Sequence, residues 1–313
     1  MAHSACPRRP RFAFTLVELM VVVLIIAILV SLVSAAVFKA MGQIPITQTS
    51  SDIGQLGAAI GSFRADFQID APPPSSIWIC ENRAQYSSNA AYTASLTYFQ
   101  KIFGKNFATT TPPAGFDDWN GNGAADAPYL LTGPQCLVFW LGGVPQSSGG
   151  TISMTGFAKS NIAPAAPATP GENRRGPYFQ FAPSRLVIDP RCPSYPVYRD
   201  PYEAKAQPQP YAYFSTGGRM NGYSAADSST IGASIYYTGL ANGSPAFLNN
   251  NTYQIVSAGA DGVFGYDAAT PNLILWSPTS GFPNTSGLDP KGQIAGNDDQ
   301  SNFSSGTLNA GQR

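Results

Sequence analysis

Residues 19–38 form a run of twenty that is apolar except for Ser31 and Ser34, and it carries no charge. Wound at 1.5 Å per residue, such a run matches the ~30 Å hydrocarbon core of a bilayer, so it reads as a membrane-spanning helix. Arg8, Arg9 and Arg11 precede it, and no acidic residue stands among the first thirteen. Cationic flanks stay cytoplasmic, which predicts that the rest of the chain is exported. Glu18 does not fit a plain anchor. It stands at the mouth of the apolar run, where an ionised carboxylate is costly and marks function with a partner still to be named. Three other readings compete: a signal anchor with Glu18 at the interface, a secretory signal cut near Ala35-Ala36, and a twin-arginine signal on Arg8-Arg9. The length of the apolar run and the position of Glu18 weigh against the second, and Pro10 against the third.

The segment Arg11-Phe12-Ala13-Phe14-Thr15-Leu16-Val17-Glu18-Leu19-Met20-Val21-Val22 resembles the class III signal sequence of type IV pilins and pseudopilins. That family has a short basic leader, a cut before a Phe, a Glu five residues into the mature chain, and then an apolar helix. The resemblance implies cleavage between Ala13 and Phe14 by a prepilin peptidase, followed by N-methylation of Phe14. Ala13 stands where the family usually has Gly, and it is small enough to leave cleavage possible. Glu18 then gains a partner, the charged amine freed on Phe14 of a neighbouring subunit. Two charges that are costly alone in lipid become a register-setting contact.

Composition removes several other classes. The 313 residues carry 18 basic and 18 acidic side chains, with no basic stripe of the kind nucleic-acid binding requires. Charged residues make up 12%, half the ~25% of typical domains, and 31 Gly with 27 Pro point to a loop-rich domain. The single histidine, His3, lies in the leader, so the mature chain lacks the base of a Ser-His-Asp or Cys-His site and any His-ligated zinc. No enzyme is expected. Cys6 also falls in the leader; Cys80, Cys136 and Cys192 leave either one disulfide and a free thiol or three buried small apolar side chains.

Beyond the membrane the helix is expected to continue, kinked at Pro45. Ile53, Leu56, Ile60, Phe63 and Phe67 recur at spacings of 3, 4, 3 and 4 and share one face, with Asp52, Arg64 and Asp66 elsewhere on the wheel. The chain therefore divides into a leader (1–13), a transmembrane helix (14–38), an amphipathic continuation (39–70) ended by Pro72-Pro73-Pro74, and a loop-rich globular domain (71–313). Within the last, residues 158–176 have linker composition and read as a flexible insertion. A helix is expected over 90–103, and strands over 136–141, 186–188, 211–214, 234–237, 253–256 and 273–276. The fold class is α+β: a long N-terminal helix whose exported half packs on a C-terminal antiparallel sheet with long loop insertions.

Two later patterns extend the resemblance. Asp200-Pro201-Tyr202 followed by Pro210-Tyr211-Ala212-Tyr213 is similar to an Asp-Pro-Trp…Pro-Tyr-x-Tyr turn and strand of the major type II pseudopilin. Tyr253-Gln254-Ile255-Val256-Ser257-Ala258-Gly259-Ala260-Asp261-Gly262 is similar to its Ser-x-Gly-x-Asp-Gly strand and loop. In that family the loop closes around calcium. The resemblance implies Asp261, Asp298 and Asp299 as ligands, with a backbone carbonyl of Val256 or Ser257 and with Asp267 as a nearer substitute. A turn without metal is the alternative. Separately, Asp118, Asn120, Asn122 and Asp126 fall at positions 1, 3, 5 and 9 of an EF-hand-like loop with Gly123 at 6 and Tyr129 at 12, against the reading of a plain Asn-Gly turn.

The expected role is a structural subunit of a type II secretion pseudopilus. It would be anchored once in the inner membrane with its globular domain in the periplasm, and its partners would be a prepilin peptidase, other pilin-like subunits and the inner-membrane secretion platform. A type IV pilin, or a membrane-tethered adhesin or binding protein that uses the same signal, are the alternatives.

Overall fold

The computed structural model describes residues 15–108, 111–202, 208–227, 230–267, 270, 272–277, 281–282, 288 and 294–308. The chain divides into two compact units, residues 1–45 and 46–313. Helix α1 (Leu16–Phe67) is the described structure of the first unit and the opening element of the second, with Pro45 inside it at the division. In the first unit the large apolar side chains from Leu16 through Val33 are exposed. The two hydroxyls in that stretch turn back on the helix, Ser31 donating to the Ile28 carbonyl (2.8 Å) and Ser34 to that of Val30 (2.7 Å). No polar group along it other than Glu18 asks for water, which suits a helix in hydrocarbon.

In the second unit, Ile53, Leu56, Ile60, Phe63 and Phe67 are all buried, as their spacing predicts. They enter an aromatic core more than they cover a sheet. Phe63 lies 5.8 Å from Trp140, and Phe67 5.8 Å from Phe103, between ring centroids. Gly57 lets Tyr253 approach, since a Cβ there would lie 3.2 Å from its hydroxyl.

Asp52 corrects the wheel. It is buried, ion-paired to Arg185 Nη2 at 2.8 Å, and accepts the Tyr211 hydroxyl at 3.0 Å. Its place four residues before Leu56 puts it on the buried stripe, where only a paired carboxylate is tolerated. The helix stops at Gln68, which takes a left-handed φ of 53°, ahead of the three prolines.

Helix α2 (Ala90–Phe103) lies where it was expected, with Asn89 accepting the Ala91 N–H at 2.9 Å and Gly104 at the end with φ 96°. The run 136–141, expected as a strand, is instead the middle of helix α3 (Gly133–Gly142). Its start is written in Thr132, whose N–H donates to Gln135 Oε1 (3.2 Å), and in Pro134 within the first turn. Every residue of α3 is buried, so its apolar run shows no period to separate helix from strand.

The strands form small sheets. Antiparallel pairs join β1 (Ile77–Ile79) to β2 (Tyr129–Leu131), β3 (Pro145–Ser148) to β4 (Thr151–Met154), β5 (Phe157–Ala158) to β6 (Arg174–Arg175), and β7 (Leu186–Asp189) to β8 (Cys192–Tyr198). Of the remainder, β9 (Ala212–Ser215), β10 (Ile235–Ala241), β11 (Ser244–Phe247), β12 (Tyr253–Ser257), β13 (Leu273–Leu275) and β14 (Gln300–Ser301) make two three-stranded sheets. One is antiparallel in the order β14-β12-β9. The other runs β11-β10-β13, and there β10 and β13 are parallel.

The class is α+β, with small sheets where a single one was expected. Within residues 158–176, β5 pairs with β6, Ala165 joins the core, and Arg174 donates to the carbonyls of Thr155, Gly156 and Ala166. Cys80, Cys136 and Cys192 are buried free thiols, which decides against a disulfide among them.

Candidate functional site

Ala13 and Phe14 lie outside the described residues. The described structure begins at Thr15, one residue before α1. Thr15 and Glu18 clasp each other. Glu18 Oε2 accepts the Thr15 N–H at 2.9 Å and its hydroxyl at 2.8 Å, while Thr15 Oγ1 accepts the Glu18 N–H at 3.2 Å. This reciprocal cap satisfies two donors at a helix start and holds the carboxylate at the head of α1. Its signal in the sequence is Thr-x-x-Glu ahead of an apolar run, which coincides with the motif that resembles a prepilin signal. Glu18 Oε1 has no donor among the described residues, so one oxygen remains for a partner. The adjoining stretch, residues 16–34, is long and apolar enough to cross a membrane, and none of it is buried.

The two later motif segments are neighbours in space. Strand β9, from the first, pairs with β12, from the second, and β12 with β14. Ser257 donates to Asp200 Oδ2 at 2.9 Å, and Gln300 Nε2 to the Tyr202 hydroxyl at 2.8 Å. Both contacts tie the Asp-Pro-Tyr turn to the strand pair that carries the Asp-Gly loop.

Asp261 meets Asp298 across a sequence offset of 37, and Asp299 follows Asp298 in the chain. Asp298 Oδ2 accepts the Asp261 N–H (2.7 Å), and Asp261 Oδ1 accepts that of Val263 (2.7 Å). Gly259 is required here, because with φ 62° its missing Cβ would lie 2.2 Å from the Asp298 carbonyl oxygen. Asp299 is fully buried. Its Oδ2 accepts the Tyr236 hydroxyl at 2.5 Å and the Gly265 N–H at 3.0 Å, whereas Oδ1 is sealed with no hydrogen-bond partner among the described residues. Burial foremost, then the charges of Asp298 and Asp261, hold its carboxyl well above the usual range. An orphaned carboxylate oxygen beside two further carboxylates is the donor chemistry of a hard cation. Among the described residues, no three His, Cys, Asp or Glu side chains are drawn close enough to chelate one. Asp267 accepts the Thr270 hydroxyl at 3.0 Å.

The second loop is closed by its own bonds. Both Asp118 oxygens accept backbone N–H groups, from Asn122 (3.0 Å) and Gly123 (2.9 Å). Asp126 Oδ2 accepts the side-chain amides of Asn120 and Asn122, each at 2.7 Å. Sequence reasoning missed Glu81. It is wholly buried under this loop, where Oε2 accepts the Asp126 N–H (2.8 Å) and Oε1 the Tyr129 hydroxyl (3.1 Å). Burial pushes its carboxyl up to about 7, with Asp126 and Asp118 adding repulsion. No local signal announces a contact from 45 residues away. Burial pushes the Cys80 and Cys192 thiols up to about 11, away from the reactive thiolate form.

The family model for the prokaryotic N-terminal methylation motif matches residues 8–34. Neither a curated protein nor a solved structure matches the chain at a significant level. The match takes in the three arginines, Glu18 and the exposed apolar helix, and a motif of this kind implies processing by a prepilin peptidase and assembly with other pilin subunits. The N-terminal segment thus carries a prepilin-type methylation motif that leads into a helix long and apolar enough to cross a membrane, as the signal segments of type IV pilin-like proteins do.

Proposed function

We propose that this protein is a structural subunit of a type II secretion pseudopilus, cut before Phe14, methylated there, and assembled through its N-terminal helix. The observation that carries the reading is the methylation motif over residues 8–34, with Glu18 poised at the head of an exposed apolar helix. The three arginines keep the N-terminus cytoplasmic and leave the globular domain in the periplasm. Assembly buries the apolar helices against one another and matches each Glu18 to the N-methylated amine of a neighbour. Cap formation with Thr15 occupies one carboxylate oxygen and fixes where the other is offered.

The assignment to secretion over a pilus rests on the sheet β14-β12-β9, which joins the two segments similar to the major pseudopilin. Calcium belongs to the same reading. Asp261, Asp298 and Asp299 would hold it, and the ion would supply a positive charge that cancels their repulsion and fixes residues 294–308 to β12.

Glu18→Ala tests the assembly role. The variant should be inserted and cleaved as the parent is, yet yield few sedimentable filaments when assembled with its secretion apparatus. Filaments at parental yield would remove Glu18 from the contact.

A further inference from the structure

A cavity of about 510 Å³ lies between the segment entering β1, helix α2 and the loop that follows β9. Its volume is that of a small-molecule site. Asp227 lines it and is only 4% exposed. One carboxylate oxygen, Oδ2, accepts the Ser75 hydroxyl, and Ser75 Oγ in turn accepts the Ser215 N–H at 2.9 Å. The other oxygen has no donor, and no cation pairs with Asp227, among the described residues. At the rim of the same cavity stands Arg219, exposed and without an ion pair among the described residues. The half-buried indole of Trp78, packed 4.8 Å from Tyr92, forms one wall beside Ala91 and Ala94 of α2.

A buried carboxylate without a counter-charge is costly, and proteins that keep one bring it a partner. Among the described residues, nothing in the surrounding core supplies that partner. The cavity offers the space for it, an opposite charge at the rim, and an apolar wall made by Trp78, Ala91 and Ala94. We propose that this cavity binds a free α-amino acid with an apolar side chain, its ammonium on Asp227 and its carboxylate on Arg219. Trp78 and the two alanines take the side chain. The site is separate from the assembly helix and does not depend on the secretion reading.

Calorimetric titration of the detergent-solubilised full chain tests this with L-leucine, L-leucinamide and N-acetyl-L-leucine. Leucine should bind at millimolar concentration or better. Leucinamide, which keeps the ammonium alone, should bind about tenfold more weakly, and N-acetyl-leucine, which keeps the carboxylate alone, should give no heat. In Asp227→Asn, which retains an acceptor for Ser75, leucine should lose at least about tenfold. Arg219→Ala, at an exposed position, should lower leucine to the affinity of leucinamide and leave leucinamide unchanged. Equal binding of N-acetyl-leucine and leucine, unchanged affinity in either variant, or no heat with any of the three overturns the proposal.

Discussion

Asp52→Ala should be among the most damaging substitutions in the chain, although the residue looks like part of a polar helix face. Arg185 is sealed around it, with side-chain exposures of 6% for the arginine and 11% for the aspartate. The guanidinium keeps one carbonyl acceptor, Arg199 O at 2.8 Å from Nε, and the face of Tyr198 at 4.2 Å. Neither supplies the missing charge. Removing one partner of a buried pair costs about 3–5 kcal/mol, because the other stays buried and uncompensated. The double variant Asp52→Leu with Arg185→Met removes both charges and fills the space with apolar atoms, and should cost less than about 2 kcal/mol. Urea unfolding of the full chain in detergent reads the difference. All four tryptophans (Trp78, Trp119, Trp140 and Trp276) lie in the second unit, so their fluorescence reports this core. A single variant that loses under about 1 kcal/mol, or a double variant that is worse than the single, refutes the reasoning.

Two further outcomes follow from the carboxylates. Burial pushes Asp227 up to about 6 from its ordinary 3.8, against a smaller downward pull from the Ser75 hydroxyl. A carboxyl whose pKa is raised on folding contributes stability that is full below about pH 4 and is lost as pH rises through about 6. Asp227→Asn holds the group neutral and should therefore melt above the parent at pH 7.5, by at most about 3 kcal/mol of stability, and level with it at pH 4. A variant that melts lower at both pH values contradicts this. The full chain should also melt at a higher temperature with millimolar calcium than with chelator, and the triple change of Asp261, Asp298 and Asp299 to Asn should erase the difference. Identical melting of the parent in both buffers removes calcium from the account. A shift that survives the triple change and vanishes with Asp118→Ala and Asp126→Ala moves the ion to the other loop.

What was legible in the sequence was periodic or punctuated. The stripe from Ile53 to Phe67 and the helix capped by Asn89 announce themselves through spacing and a cap. Most of the β-branched and aromatic runs after residue 186 became strands within a residue or two. Helix α3 is not separable from a strand by pattern, because burial on all sides erases its period; its local signal is the Thr132-x-x-Gln135 start. The place of Asp52 is not legible locally, because a lone charge on a helix reads as facing water and its partner, Arg185, stands 133 residues on. Short strands such as β5 and β6 exist through pairing rather than propensity, so two residues of sequence hold no signal of them. At the N-terminus the motif was plain. The Thr15 cap on Glu18 lies inside the same motif, so one stretch of residues carries both signals.

The central claim is that Phe14 becomes the mature, methylated terminus of an assembling subunit. Intact-mass and N-terminal peptide mass spectrometry of protein extracted from membranes of cells with an active prepilin peptidase tests it directly. The account predicts a chain that begins at Phe14, lacks the thirteen leader residues, and carries one added methyl group on its α-amine. A chain that still begins at Met1, or one that begins at Ala36, contradicts it.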